Sequence, residues 1–106
     1  MSSFTANDRV AQTILDQIGV PTLMRLGAHK VTRYLDAVTF NVKLAMPGQS
    51  RGRIMLAKVT LTPADTYNVS IGYLQRKTLD WVSLTDAEGV YVDSMVEIFR
   101  RHAKLA

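Results

Sequence analysis

The side chains best able to do chemistry in this chain are two histidines, a cluster of acids and three groups of basic residues. His29 stands in Gly-Ala-His-Lys-Val and His102 in Arg-Arg-His-Ala-Lys. Nucleophilic catalysis needs a base that is itself oriented by a third group. Nothing in the spacing marks such a trio around either histidine. Both read as surface or helix-end residues, and the expectation is a protein that is not an enzyme. Two histidines without any cysteine cannot form a closed zinc site of the usual kind. Asp86, Glu88 and Asp93 lie close together in "DAEGVYVD", the density of oxygen ligands that a hard cation favours. Their spacing does not follow the calcium-loop pattern. They read instead as acids before and within the first turn of a helix, where they complement its dipole. Neither glycine-rich nucleotide motif occurs, so no metal and no cofactor is expected. "PGQSRGR" sets Gly48 and Gly52 around Ser50 and Arg51. Such a loop can cradle an anion in a backbone nest; the plainer reading is a hairpin turn.

The elements that must position these residues follow from hydrophobic periodicity. In "TANDRVAQTILDQIG", residues 5–19, Val10, Ile14 and Ile18 recur at helical spacing beside Ala11 and Leu15. Thr5 or Asn7 can cap this helix, and Gly19 ends it. Pro21 suits the first position of a short second helix, "PTLMRLG", closed by Gly27. Residues 28–35 show no decisive pattern.

"AVTFNVKLA" alternates, with Val38, Phe40, Val42 and Leu44 on one face, as a half-buried strand does. "MPGQSRG" is a loop by its proline and glycines. "RIMLAKVTLT" sets Met55, Ala57, Val59 and Leu61 on one face and Ile54 and Leu56 on the other, so its first half is expected to be covered on both sides. "TYNVSIGYLQ" directs Tyr67, Val69, Ile71 and Tyr73 inward. "TLDWVSLT" reads as a fourth strand with apolar residues on both faces. In "TPAD", Pro63 presets a type I turn and Asp65 can bond the backbone that follows it. "VYVDSMVEIFRRHAKLA" is a helix with an apolar stripe of Val92, Met95, Val96, Phe99 and Ala103.

Short connections imply an antiparallel β-meander. The expected fold is α+β: a meander of about four strands in one domain, residues 1–106, with the N-terminal and C-terminal helices packed on one face.

In such a meander alternate turns share an end. The Arg51 and Arg53 loop and the Arg76-Lys77 turn then fall on one edge of the sheet. Their rigid mounting and exposed cations suit a phosphate or an acidic surface. Arg100, Arg101 and Lys104 form a second basic patch on the last helix, where the dipole also favours cations. Aromatic interleaving is poor. Tyr67 and Tyr73 share a face that the core needs, so no outward aromatic platform for single-stranded RNA is expected.

Composition sets the outer bounds. The chain has 106 residues, 47% hydrophobic and 21% charged, enough for one core without staples. Cysteine is absent, which suits a reducing compartment. No apolar run approaches the ~20 residues of a membrane span. The first residues lack the pattern of a secretory signal. A cytoplasmic protein without membrane association is expected. The net charge of +4 favours acidic partners.

Four blocks carry a resemblance over most of the chain, from about Thr13 to Phe99: "TILDQIG", "GAHK", "VTLTPADTYNVSIG" and "EGVYVDSMVEIF". With these the chain resembles a family of short, uncharacterised phage and prophage proteins. In that family the middle block is a strand, a "TPADTY"-like turn and a strand. The last is Gly-Val-Tyr followed by an acidic helix ending in Phe. Gly89, Val90, Tyr91, Asp93 and Phe99 fall at those places. The chain departs from the family at "MPGQSRGRI" and in its "RRHAKLA" tail, which hold the basic patches. The resemblance implies no activity and no catalytic residue. It implies a mobile-element gene product acting inside a bacterial host cell.

The function expected is that of a non-catalytic accessory protein binding a protein or nucleoprotein partner, with inhibition of a host-defence (CRISPR-like) nucleoprotein complex as its specific form. Direct nucleic-acid binding is the alternative, through Arg51, Arg53, Arg76 and Lys77. A structural or homodimeric phage protein is also compatible with the sequence.

Overall fold

The structure, a computed structural model, describes residues 6–46, 48 and 50–105. The element order is α1 (Ala6–Ile18), α2 (Val20–Arg25), β1 (His29–Arg33), β2 (Ala37–Leu44), β3 (Arg53–Leu61), β4 (Tyr67–Leu74), β5 (Trp81–Val90) and α3 (Val92–Leu105). The strands form one antiparallel sheet in the order β1-β2-β3-β4-β5. This is the α+β meander with flanking helices that the periodicity predicts.

The alternation of β2, β3 and β4 builds the core. Val38, Phe40, Val42, Met55, Ala57, Val59, Val69 and Ile71 are buried on one face of the sheet. Against them pack Ile14 and Ile18 of α1 and Met95 and Phe99 of α3. The rings of Phe40 and Phe99 meet at 5.7 Å with a 41° tilt, a geometry that adds about 0.5–1.5 kcal/mol to their burial. No polar side chain is buried among the described residues. The core is therefore apolar throughout, and burial is what joins the helices to the sheet.

Several expectations change. Residues 28–35 supply a fifth strand: β1 pairs with β2 as an edge strand whose five residues are all exposed. Its register slips between His29 and Thr32, and Lys30 takes φ 52 at the irregularity. With neither face buried, β1 needs no alternation, which is why its sequence shows none. Ile54 and Leu56 are 59% and 38% exposed rather than covered, because all three helices lie on the other side of the sheet. Asp86 and Glu88 belong to β5; only Asp93 lies in the first turn of α3. β5 continues past Thr85 to Val90. Val20 precedes Pro21 in α2. Asn7 lies inside α1, while Thr5 falls outside the described residues.

The Thr62–Thr66 corner is a three-residue hairpin loop. Asp65 Nα donates to the Thr62 carbonyl at 3.1 Å, and Asp65 itself takes φ 60, the left-handed residue that follows a type I turn in such loops. The side chain that organises it is Thr62 rather than Asp65. Its Oγ1 accepts from the backbone amides of Ala64 and Thr66, each at 3.3 Å, and shares a hydrogen bond with Thr66 Oγ1 at 2.8 Å.

Candidate binding face

The helices cover one side of the sheet and leave the other open. At the end of the open side nearest the β4–β5 turn lies a groove of about 870 Å³. Its exposed apolar lining is Ile54, Leu56, Leu74 and Trp81, with Met55 and Tyr73 also at its wall; its basic lining includes Lys30, Arg76 and Lys77, beside His29, Asn41 and Gln75. No carboxylate lines it among the described residues.

Strand register explains the assembly. Leu56 pairs with Gly72 and Leu74 with Trp81. Ile54, two residues before Leu56, and Leu74, two after Gly72, therefore share the open face. Gly72 leaves a gap that the indole fills. A Cβ on Gly72 would stand 2.8 Å from Cζ2 and 2.9 Å from Cε2 of Trp81. The ring thus lies over the glycine backbone, and Trp81 still keeps 45% of its surface exposed. This is an outward aromatic, contrary to the expectation drawn from Tyr67 and Tyr73. Tyr67 is buried, and its hydroxyl donates to Gln17 Oε1 at 3.0 Å.

The basic residues predicted from the meander do share one end of the sheet, but they are not equivalent. Arg76 and Lys77 are exposed in the β4–β5 turn and line the groove. Arg53 also lines it, yet alternation sets it on the face of Met55, and its guanidinium stacks 3.8 Å over the ring of Tyr73. Arg51 is exposed in the β2–β3 loop and does not line the groove. That loop contains Pro47 and Gln49, which lie outside the described residues, and with them part of the stretch read as a hairpin turn that can also cradle an anion. Arg100, Arg101 and Lys104 are exposed on α3, on the helix side of the sheet, so the two basic patches belong to opposite sides of the molecule.

The histidines also separate. His29 Nδ1 donates to the Gly27 carbonyl at 2.8 Å at the groove. His102 Nε2 shares a 2.8 Å hydrogen bond with Thr85 Oγ1 across the α3–β5 contact. Burial, followed by the charge of neighbouring Arg101, holds the His102 pKa below its ordinary value. Among the described residues no three His, Asp or Glu side chains come together as a metal site. Among the described residues no helix is long and apolar enough to cross a membrane.

Sequence reasoning missed Trp81, Ile54, Leu56 and Leu74 as members of one surface. The available signal was Gly72. A glycine inside an otherwise apolar strand marks the close approach of another group, and Trp81 is the chain's only tryptophan. No protein-family model, curated protein or solved structure matches this chain.

Proposed function

We propose that the chain is a non-catalytic binding module that docks a macromolecular partner on the open face of its sheet. One observation carries this reading: an exposed cluster of Ile54, Leu56, Leu74 and Trp81 bordered by Lys30, Arg76 and Lys77. Exposed apolar surface rimmed by polar groups marks interaction sites where it is large. Cations around an apolar centre fit the general anatomy of a docking surface, with the aromatic as its anchor.

The finer form is an accessory protein of the phage type acting in a bacterial host cell, inhibiting a host-defence nucleoprotein complex. Its support is the family resemblance of residues 13–99 and the basic border of the face, which suits a partner that carries nucleic acid. Its mode of action would be occlusion of a surface.

The test is affinity capture from bacterial lysate, with and without nuclease treatment, using the wild-type protein and Trp81→Ala in parallel. One dominant species retained by the wild type and lost by the variant is expected. An empty capture, or one indifferent to Trp81, overturns the reading.

A further inference from the structure

Resting on that reading, we infer that the open face binds single-stranded nucleic acid, with a base stacked on Trp81 and the adjoining phosphates held by Lys30, Arg76 and Lys77. Three observations converge. The indole is laid over Gly72, and its ring remains partly exposed; a supported aromatic face is what an unpaired base stacks on. Ile54, Leu56 and Leu74 beside it extend the apolar floor. The charged groups lining the groove are cations, with no Asp or Glu among them, which complements a phosphodiester chain.

The shape argues against a duplex. Double-stranded DNA buries its base faces and presents phosphates, so it would leave the floor of the groove without apolar contact. The open sheet also offers no helix for the major groove. A second copy laid groove to groove would bring two sets of cations together without a lining carboxylate between them. Sequence preference is expected to be weak, because stacking accepts any base, and what preference exists would come from the amide side chains of Asn41 and Gln75 in the lining.

Trp81 is the chain's only tryptophan, so its fluorescence reports on the proposed contact directly. The experiment titrates the full-length protein with an oligothymidylate of about 12 nucleotides, with a duplex of the same length, and with polyglutamate as an acidic polypeptide. Quenching by the oligothymidylate is expected, with binding at least tenfold tighter than to either other probe. Three phosphate contacts give a slope of log affinity against log salt of about −2. With a labelled oligonucleotide read by anisotropy, Trp81→Ala is expected to weaken binding at least about tenfold. Trp81→Phe, which keeps a stacking ring, is expected to lose far less. Arg76→Glu with Lys77→Glu, both in an exposed turn, is expected to flatten the salt slope.

Absent quenching, a salt-independent affinity, equal affinity for the duplex or for polyglutamate, or indifference to the double charge reversal each overturns the inference. So does a dimer in sedimentation equilibrium that Trp81→Ala dissociates, which would assign the face to a second copy. If oligothymidylate fails while a nuclease-resistant protein is captured from lysate through Trp81, the binding-module reading stands and only the single-strand assignment falls.

Discussion

The indole of Trp81 occupies the space above Gly72 that a side chain would otherwise fill. Each residue is explained by the other: the glycine gives the ring a flat seat, and the ring buries a backbone that has no side chain to cover it. Gly72→Ala would set a methyl group against Cζ2 and Cε2 of Trp81 at 2.8 and 2.9 Å and against the backbone carbonyl of Val82. The carbonyl cannot step aside as a flexible side chain could. The expected cost is about 1–3 kcal/mol, seen as a lower midpoint in denaturant unfolding together with a shift in Trp81 emission.

Leu79 closes the β4–β5 turn with φ 59 and is 72% exposed. A leucine in the left-handed region carries about 1 kcal/mol of strain, and this one recovers little of it by burial. Leu79→Gly is expected to raise stability by about 0.5 kcal/mol after the greater freedom of glycine in the unfolded chain is subtracted. A chemical denaturation series comparing glycine, asparagine and alanine at this position checks it; alanine should bring no such gain.

Thr62 organises the β3–β4 corner through its hydroxyl. Thr62→Val keeps the shape and removes these bonds, with an expected loss of about 1–2 kcal/mol. Asp65→Asn keeps a residue that tolerates positive φ and is expected to change stability by less than about 0.5 kcal/mol. The two midpoints measured side by side decide which side chain holds the turn.

His102 ties stability to pH. Its folded pKa lies below the ordinary value of 6.5, through burial and then through Arg101. Well above pH 6.5 it is neutral in both states. As the pH falls from there toward the folded pKa, the unfolded chain takes up the proton first, and stability declines. Below the folded pKa both states are protonated, and this contribution levels off. Thermal unfolding followed across that range is expected to show the decline in the wild type and to lose this component in His102→Gln.

How far these features could be read from the chain depends on whether the relevant force is local. The strand faces of Val38 to Leu44 and Tyr67 to Ile71 were legible because one side is buried and the period of two records it. The α3 stripe of Met95, Phe99 and Ala103 was legible for the same reason at helical period. β1 was not, because a strand exposed on both faces and paired along one edge carries no burial pattern. The sharing of one sheet end by the β2–β3 loop and the Arg76-Lys77 turn followed from meander connectivity alone. That Arg53, while lining the groove, lays its guanidinium on the ring of Tyr73 depends on a contact between two strands.

The sequence by itself determined the α+β class, the antiparallel succession of β2 to β5 and the buried faces of β2 and β4, since these rest on periodicity and short connections between neighbours. Only the tertiary structure decided that Ile54, Leu56 and Leu74 stay uncovered on the face opposite the helices, and that Trp81 crosses to the seat made by Gly72. Residues distant in the chain meet there because the register between strands brings them together, and no single local stretch contains that register.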